Sequence, residues 1–554
     1  MAKMTGKRAL MEMLRAEGVD YIFGNPGTSE SPIMDALEDF PDIKYMLTTQ
    51  EGVAMGMADA YARATGKPAF VNLHIETGLA NGISLLTNAY EGGTPLVLTS
   101  ANQDIRKLAN NRSDLVQMVD QFTKWSAEVT HPEQLPGVIR RAFNEAKTPP
   151  TGPTYVAFSA NALDDEGEMD IIPSSKGYFR IGPDKTAIDE AARLLKGAQD
   201  PVLIVGDRVA QSEASQEIVK VAEMLGARVY ATNYSEMNFP TGHPQFLGSL
   251  NPSMPDSKKI IGSSDVVLAV GTDVFPGFFY FSGPALGANT KLIHVDQAYQ
   301  EVGKSEPTDV GIIADPKIAM AELVYALESK MSGAEREGAK GRMVNLSEEK
   351  ASIKREWENR LQRDWDNRPM TADRMMHEIS NVLPHDTIIA DDSITSRGSI
   401  HSSMEFNEPG SIYGIRGGAL GWGMGGVLGV KLAHPDRPVV AVVGDGSSMM
   451  TVQALWTAAN SNIPVLYIIC NNSAYRVLKL NMNIYKRDIL GENPPNSQYM
   501  GTDFPIRLNI AGIAEAIGVY GRQISDPADL ADAVRDALAS GKPAVLDVVI
   551  DGTV

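Results

Sequence analysis

Cysteine is nearly absent from this chain, and long apolar runs are missing. A single cysteine, Cys470, occurs among 554 residues, so no intrachain disulfide can form and a reducing compartment is expected. The amino terminus lacks the apolar run of a secretory signal, and no later run approaches the length that spans a bilayer. These absences predict a cytoplasmic protein with no membrane partner.

Basic residues are also scarce. The chain has 50 Lys and Arg against 69 Asp and Glu, a formal net charge of −19, whereas surfaces that bind nucleic acids or anionic membranes need clustered positive charge. Hydrophobic residues make up 43% of the chain, which at this length is enough to bury several cores. We therefore expect a large acidic protein of several domains, with no nucleic-acid partner.

Short β-branched runs alternate with helical apolar patterns along the whole chain, which is typical of α/β domains with parallel sheets. A stretch rich in Pro, Gly and Ser at 167–184 and a densely charged stretch at 329–368 separate three such regions, of which the first and last are similar. The turn Val205-Gly206-Asp207 lacks the full glycine-rich fingerprint, so no FAD or NAD is expected in the middle region. We predict three open parallel-sheet domains, at residues 1–166, 185–330 and 370–554.

Two short polar segments near the end of the chain each follow a buried apolar run. Gly444-Asp445-Gly446 follows residues 439–443, Asn471-Asn472 follows residues 465–470, and residues 449–460 between them have helical spacing. Because the strands of a strand-helix-strand unit end at the same sheet edge, Asp445 and Asn472 should converge. Their oxygens suit Mg²⁺, and the glycines and the following helix start suit a phosphate. Either segment alone is usually a turn or a cap.

This pair of motifs, in this order, resembles the diphosphate and Mg²⁺ motif of thiamine-diphosphate-dependent enzymes. The resemblance implies that Asp445, Asn472 and the backbone carbonyl of Ala474 hold Mg²⁺. It also implies that a pyrimidine-binding domain and a diphosphate-binding domain flank the middle domain. The residues expected to contact the cofactor are Glu51, Ser393, Thr395, Gly418, Leu420, Gly444, Asp445, Gly446, Ser447 and Asn472.

Glu51 occupies the place of the family's catalytic glutamate. It stands at the start of a helix predicted for residues 51–65, between strands predicted for 43–48 and 68–74. An ordinary carboxylate at the positive end of a helix is the alternative. The resemblance implies that Glu51 contacts N1′ of the aminopyrimidine ring and activates the cofactor, a task that is helped by burial which raises a carboxyl pKa.

Four further cofactor contacts follow from the same resemblance. The carbonyl of Gly418 would accept a hydrogen bond from the aminopyrimidine amine, and Leu420 would support the bent cofactor, although core packing is the alternative for Leu420. Ser393 and Thr395 would donate hydroxyl hydrogen bonds to the diphosphate, and helix capping is the alternative for both.

Nearly the whole chain resembles the benzoylformate decarboxylase branch of this family. The matching segments are Phe23-Gly24-Asn25-Pro26-Gly27, Phe70-Val71-Asn72-Leu73-His74, Lys124-Trp125-Ser126 and Ala454-Leu455-Trp456-Thr457-Ala458-Ala459. The resemblance implies that His74 moves protons, that Thr28 binds the substrate carboxylate and that Asn25 lies in the pocket. The alternatives are a histidine satisfied by backbone for His74 and a helix cap for Thr28.

Two departures from that branch concern the substrate. The aromatic run at 274–281 replaces the branch's second catalytic histidine, and its Phe278 and Phe279 either line an apolar pocket or pack in a core. Glu76 stands where the branch has small residues, and it either orients His74, faces a polar substrate group or reaches solvent. Leu478, beyond Asn472, is a further candidate for the pocket wall.

The predicted function is thiamine-diphosphate-dependent, non-oxidative decarboxylation of a small-molecule 2-oxo acid to an aldehyde and CO₂. The alternative is a carboligase, acetolactate synthase-like or benzoin-type, that joins the carbon left after CO₂ loss to a second carbonyl compound. A nucleotide-binding or regulatory α/β protein without catalysis is a third hypothesis, which Glu51 disfavours. The resemblance further implies a homodimer or homotetramer, with each active site between subunits.

Overall fold

A computed structural model describes residues 2–110, 112–177, 179–232, 235–250, 255–274, 279–281 and 283–554. Within these residues the chain forms three six-stranded sheets and one two-stranded ribbon. All strand pairs in the large sheets are parallel. The predicted α/β fold of three open parallel-sheet domains is confirmed. No helix of the described residues has both the length and the apolar character needed to cross a bilayer.

The first sheet is built from the amino-terminal part of the chain. Its region contains the strands β1 (Ala2–Thr5), β2 (Tyr21–Asn25), β3 (Lys44–Leu47), β4 (Ala69–Leu73), β5 (Leu96–Asn102), β6 (Trp125–Val129), β7 (Thr154–Ser159) and β8 (Glu166–Met169). Its helices are α1 (Gly6–Glu17), α2 (Ser31–Leu37), α3 (Glu51–Thr65), α4 (Ile75–Glu91), α5 (Leu115–Val119), α6 (Leu135–Lys147) and α7 (Ala160–Asp164). The strand order is β3-β2-β4-β5-β7-β6, and β1 pairs with β8 in the separate ribbon.

The second sheet occupies the middle of the chain. Its strands are β9 (Pro201–Val205), β10 (Arg228–Ala231), β11 (Phe246–Ser249), β12 (Val266–Val270), β13 (Lys291–Asp296) and β14 (Val310–Ile313). The helices are α8 (Lys185–Lys196), α9 (Asp207–Gln211), α10 (Ser215–Leu225), α11 (Pro255–Ser263) and α12 (Pro316–Lys330). The order is β11-β10-β9-β12-β13-β14. The charged stretch that follows forms the 31-residue helix α13 (Gly333–Arg363), which leads to the third region.

The third sheet lies at the carboxyl-terminal end. Its strands are β15 (Ile388–Asp392), β16 (Ile412–Gly414), β17 (Val439–Gly444), β18 (Leu466–Asn471), β19 (Tyr520–Ile524) and β20 (Ala544–Val549). The helices are α14 (Ala372–Ser380), α15 (Arg397–Ser403), α16 (Trp422–Ala433), α17 (Asp445–Ser448), α18 (Ala454–Asn460), α19 (Arg476–Ile484), α20 (Ile510–Ile517) and α21 (Leu530–Ala539). The order is β16-β15-β17-β18-β20-β19, so the first and third sheets have the same topology.

The first and third regions pack together through α3 and α16 and share one apolar core. Every residue from Glu51 to Ala62 in α3 is buried, as expected of a helix with small or apolar side chains on most faces. Close approach depends on glycine, because a Cβ atom at Gly429 would lie 2.1 Å from the carbonyl oxygen of Met57. This contact brings the middle of α3 against the second half of α16.

All three regions meet at a buried cluster of charged side chains. Arg63 Nε of α3 donates to Glu236 Oε1 at 2.9 Å, and Arg416 Nη2 donates to the same oxygen at 2.5 Å. Arg416 Nε also lies 3.2 Å from Asp207 Oδ2. Pairing and hydrogen bonding offset the cost of burying these charges. Because Arg416 directly precedes the Gly417-Gly418 turn, the cluster anchors one end of that turn.

The helix predicted for residues 449–460 is wrong in its first half. The chain instead forms α17 at 445–448 and α18 at 454–460, with turns between them. The Thr451 hydroxyl donates to the carbonyl oxygen of Gly421 at 2.6 Å. This hydrogen bond ties the intervening turn to the start of α16, so tertiary contact overrides the helical spacing of the apolar residues.

Candidate active site

A cleft lies at the carboxyl edge of the third sheet, where β15, β17 and β18 end side by side. Open α/β sheets bind ligands at this edge. The cleft is lined by Asp392, Ser393, Ile394, Thr395, Leu420, Gly444, Asp445, Gly446, Ser447, Cys470, Asn472, Ala474, Tyr475, Arg476 and Val477. The structure therefore brings together the predicted contacts of the carboxyl-terminal half except Gly418.

Asp445 is buried at the start of α17. Its Oδ1 accepts from the Gly446 amide at 2.8 Å and its Oδ2 from the Ser473 amide at 2.7 Å. Burial raises the pKa of the carboxyl to about 6, and the amide hydrogen bonds oppose that rise. A buried carboxylate with these partners would be stabilised in its charged form by a bound cation.

Asn472 lies opposite Asp445, after the end of β18. Its Oδ1 accepts from the Ala474 amide at 3.0 Å, and Ser473 between them has a φ of 54°. The described residues contain no cluster of three or more His, Cys, Asp or Glu side chains suited to a metal. A cation here would therefore depend on Asp445 together with amide and carbonyl oxygens, which is the ligand chemistry of Mg²⁺. The residues present fit that ion.

Asp392 is a buried carboxylate that sequence reasoning missed. Its Oδ2 accepts from the amides of Gly421 at 2.9 Å and Gly423 at 3.0 Å, and from the Ser447 hydroxyl at 2.7 Å. Burial raises its pKa to about 6, and its other oxygen is buried without a hydrogen-bond partner among the described residues. Asp392 thus joins the starts of α16 and α17. The available signal was a second acidic residue at the end of a buried strand.

The hydroxyl of Ser393 donates to Asp391 Oδ1 at 2.6 Å, and Arg397 Nε donates to Asp391 Oδ2 at 2.5 Å. Burial alone would raise the pKa of Asp391, but the Arg397 charge and the Ser393 hydrogen bonds outweigh it and lower the pKa. The next residue, Ile394, has a φ of 46°. A β-branched residue in this conformation costs about 1–3 kcal/mol, and such strain is concentrated at functional sites.

The glycines of the cleft have different structural roles. A Cβ atom at Gly446 would lie 2.5 Å from the Tyr475 ring, so packing already requires glycine there. At Gly444 the nearest atoms would be 4.0 Å away. The thiol of Cys470 also borders the cleft, but burial raises its pKa to about 12. Cys470 is therefore a packing residue, as its position in a buried strand indicates.

The loop that carries Gly418 and Leu420 is fixed by a residue of the first region. Asn88 of α4 accepts from the Ala419 amide at 2.9 Å and donates to the Ala419 carbonyl oxygen at 2.8 Å. Gly418 has a φ of 93°, a conformation that favours glycine. Leu420 is half-buried and reaches the cleft. No sequence pattern indicated Asn88, because its partner is 331 residues away.

Glu51 begins α3 and is buried in the first region. Its Oε1 accepts from Asn25 Nδ2 at 3.0 Å and its Oε2 from Asn81 Nδ2 at 3.1 Å. A Cβ atom at Gly78 would lie 3.2 Å from Oε1, so glycine leaves room beside the carboxylate. The structure thus brings the predicted residues Glu51 and Asn25 together, and it adds Asn81, which sequence reasoning missed.

His74 caps α4, and its Nδ1 lies 2.7 Å from Glu30 Oε2. Glu30 is fully buried and also accepts from the amides of Gly27 and Ala101, at 3.0 Å each. The alternative of a histidine held by backbone is therefore wrong, because the partner is a carboxylate. Glu30 was missed, although a glutamate three residues after Gly27 matches a helix-start pattern.

Thr28 and Glu76 border the same end of the first sheet. Thr28 is exposed at the start of a short 3-10 turn, and its carbonyl oxygen accepts from the Ser31 hydroxyl at 2.8 Å. Glu76 is half-buried in the first turn of α4. In the part of the chain that the structure describes, the Glu76 carboxylate makes no hydrogen bond or ion pair. Glu30, not Glu76, orients His74.

The predicted pocket wall is only partly assembled. Phe279 stacks on Tyr485 with ring centroids 6.4 Å apart, and Phe278 lies outside the described residues. Leu478 is 47% exposed on α19, a helix with no buried residue. Since Leu478 and Tyr485 are seven residues apart, they are separated by about 10 Å along the helix. Phe279 and Leu478 therefore lie at opposite ends of one exposed helix.

The chain matches three models of one protein family. Residues 4–123 match the N-terminal TPP binding domain of thiamine pyrophosphate enzymes, residues 188–323 match the central domain and residues 395–548 match the C-terminal TPP binding domain. Together the matches cover more than half of the chain. The chain therefore belongs to the thiamine pyrophosphate enzyme family.

Individual relatives have different activities. The chain is 29% identical to benzoylformate decarboxylase of Pseudomonas aeruginosa, over 98% of both chains. It is 28% identical to a probable acetolactate synthase large subunit of Methanocaldococcus jannaschii, over 99% of this chain and 92% of that one. Among solved structures, the thiamine diphosphate-dependent 4-hydroxybenzoylformate decarboxylase of Rhodococcus jostii RHA1 has a TM-score of 0.85 and 28% identity over 99% of both chains.

Proposed function

We propose that this thiamine-diphosphate-dependent enzyme decarboxylates a 2-oxo acid without oxidation, releasing an aldehyde and CO₂. The observation that carries this proposal is the pairing of the half-buried His74 with the buried Glu30, close to Glu51. Decarboxylation must end with delivery of a proton to the carbon that lost CO₂. With Nδ1 held by Glu30, His74 has Nε2 left to exchange a proton with the substrate.

The cofactor and its metal would occupy the cleft of the third sheet. Asp445, Asn472 and the carbonyl oxygen of Ala474 would hold Mg²⁺. When bound, thiamine diphosphate supplies an electron sink for the electron pair released by the departing CO₂. The remaining contacts would come from Ser393, Thr395, Gly418, Leu420, Gly444, Gly446 and Ser447. Support comes from the convergence of most of these residues in one cleft.

Glu51 would exchange a proton with the aminopyrimidine ring. Its burial at a helix start and its two side-chain amide donors support this role. The amides of Asn25 and Asn81 hold the carboxylate in one orientation. Orientation of the acid toward a fixed ring atom is what general acid–base catalysis requires.

The substrate would bind between His74 and α19. Thr28 and Asn25 would contact its carboxylate. Phe279 and Leu478 would belong to an apolar wall that excludes water once a second chain covers the exposed helix α19. Weak solvation of the carboxylate favours loss of CO₂. Glu76, half-buried and without an ion-pair partner in the described residues, would face a polar group of the substrate.

We assign pyrimidine binding to residues 1–166 and diphosphate binding to residues 370–554, around a middle domain at 185–330 that binds no dinucleotide. Complete active sites would form in a cytoplasmic homodimer or homotetramer. Two observations support assembly: the described lining of the cleft comes only from the third region, and the hydrogen-bond partners of Glu51 come only from the first. A second chain would bring the two halves together.

Carboligation is the second candidate function. The aromatic run at 274–281 has no histidine, and slower protonation would leave more time for reaction with a second carbonyl compound. The test is product analysis of the purified protein with Mg²⁺, thiamine diphosphate and a panel of 2-oxo acids, with and without an added aldehyde. Aldehyde as the main product in both conditions supports the decarboxylase. A coupled hydroxy-ketone supports the carboligase, and no consumption of any acid contradicts both.

A further inference from the structure

Arg476 is a basic residue at the cofactor cleft to which the motifs assign no role. It begins α19, immediately after the loop that carries Asn472 and Ala474. The described lining of the cleft contains the two carboxylates Asp392 and Asp445 but only this one basic side chain. Its place in the cleft, together with its charge, indicates an anionic ligand.

The guanidinium of Arg476 is held in place by the segment that follows β20. Arg476 Nε donates to the Thr553 carbonyl oxygen at 2.8 Å. The segment before Thr553 packs on the loop that carries Asn472 and Ala474. The Ile550 amide donates to the Asn471 carbonyl oxygen at 3.0 Å, and a Cβ atom at Gly552 would lie 2.5 Å from the Asn472 carbonyl oxygen. A side chain oriented before the ligand arrives loses less entropy on binding.

The two Nη groups of Arg476 make no hydrogen bond within the part of the chain that the structure describes. They form a planar fork whose geometry matches a phosphate, and such charge-assisted hydrogen bonds are among the strongest in proteins. The electrostatic balance calls for such a group, because a diphosphate carries several negative charges and Asp445 adds another. Mg²⁺ offsets only part of that charge.

We propose that Arg476 is a second cationic contact for the diphosphate of the cofactor, in addition to the metal. The inference rests on the proposed position of the cofactor. Arg476 would donate through Nη1 and Nη2 to diphosphate oxygens, while Thr553 keeps Nε oriented. It acts in binding and takes no part in proton transfer.

The test compares Arg476→Met, Arg476→Lys and the wild-type protein in cofactor binding. Arg535→Met, at an exposed arginine of α21, is the matched control. Titration of thiamine diphosphate at fixed Mg²⁺, followed by calorimetry, should give a dissociation constant about 10- to 100-fold higher for Arg476→Met. Arg476→Lys should recover part of the affinity, since it keeps the charge but loses the fork. The affinity of Arg476→Met for inorganic pyrophosphate should fall by a similar factor.

Salt dependence provides a second readout. Wild-type affinity should fall more steeply with ionic strength than that of Arg476→Met. Unchanged cofactor affinity in a folded Arg476→Met protein overturns the inference. If the KM for the 2-oxo acid also rises in that case, the guanidinium contacts the substrate carboxylate instead. If wild type itself fails to bind thiamine diphosphate and Mg²⁺, the proposed function fails instead. Thermal melting without cofactor verifies folding.

Discussion

The first and third sheets have the same strand order, but equivalent strand ends in them carry different chemistry. β4 and β17 occupy equivalent places, and they lead to His74 and Asp445. His74 has a buried side-chain carboxylate as its partner, Glu30, whereas Asp445 accepts hydrogen bonds from backbone amides. One copy of the fold carries the residue proposed to move a proton and the other carries the residue proposed to hold a cation, so the shared topology does not decide the chemistry.

The same contrast separates the two carboxylates proposed to act on the cofactor. Glu51 accepts from the side-chain amides of Asn25 and Asn81, while Asp445 lies among fixed backbone donors. Side-chain partners can rearrange when a carboxyl gains or loses a proton. Backbone amides favour the charged form permanently. Neutralising Glu51 and neutralising Asp445 should therefore have different consequences.

The largest expected effect is on turnover. Glu51→Gln keeps the shape of the side chain but removes the exchangeable proton, so kcat should fall about 10²- to 10⁴-fold. The dissociation constant for thiamine diphosphate should stay within about threefold of wild type. Steady-state kinetics and calorimetric titration measure the two quantities, with Glu337→Gln, at an exposed position of α13, as control. Equal losses of cofactor affinity and kcat in Glu51→Gln would contradict the separate roles proposed for Glu51 and Asp445.

Asp445→Asn should show the opposite pattern. The neutral amide removes the charged ligand proposed for Mg²⁺, so cofactor binding in the presence of Mg²⁺ should weaken at least about 100-fold. Titration of Mg²⁺ at fixed cofactor concentration measures the change. Asp532→Asn, at a carboxylate that is 80% exposed in α21, should behave as wild type. Retention of Mg²⁺-dependent binding by Asp445→Asn would exclude this carboxylate as the metal ligand.

A smaller effect is expected at the proton-transfer residue of the first sheet. His74→Ala removes the group proposed to protonate the product, so aldehyde release should slow about 10²-fold. The ratio of coupled product to aldehyde should rise when a second aldehyde is added. Chromatographic product analysis measures this ratio. An unchanged ratio and rate would show that another group supplies the proton. Glu30→Gln should also slow aldehyde release and raise the ratio of coupled product to aldehyde, but by smaller factors, because the imidazole remains.

The smallest effect concerns stability and depends on Asp392. The pKa of Asp392 is about 6 in the folded protein and about 3.9 in the unfolded chain. Between these pH values the folded protein therefore binds more protons than the unfolded chain does. The stability of the cofactor-free protein should therefore fall as pH rises from about 4 to 6, with Asp392 contributing about 1–3 kcal/mol.

Asp392→Asn removes this titration, so its melting temperature relative to wild type should be higher at pH 7.5 than at pH 4.5. The comparison across pH matters more than either value, since the amide also changes the hydrogen bonds to Gly421 and Ser447. A relative melting temperature that is independent of pH would contradict the raised pKa.

Much of the architecture was predictable because it depends on local patterns. Buried apolar runs located β4, β17 and β18, and the turn residues after them located Asp445 and Asn472. The helix at 449–460 failed because the Thr451 hydroxyl binds the Gly421 carbonyl oxygen, 30 residues earlier. Patterns of neighbouring residues carry no information about such a contact.

The supporting residues of the candidate site were not predictable for the same reason. Glu30 reaches His74 across 44 residues, Asn81 reaches Glu51 across 30, and Asn88 reaches Ala419 across 331. Each is an ordinary polar side chain whose partner is brought near only when the sheets and helices pack. Arg476 is similar, since its contact with Thr553 spans 77 residues.

The sequence by itself determined the order of strands and helices, the family and the positions of the main polar motifs, because periodicity and turn chemistry act over a few residues. Only the tertiary structure decided which carboxylates lie beside amides, histidine or arginine. The physical reason is that burial and hydrogen-bond geometry depend on packing between distant segments, and these set the protonation and charge of each group.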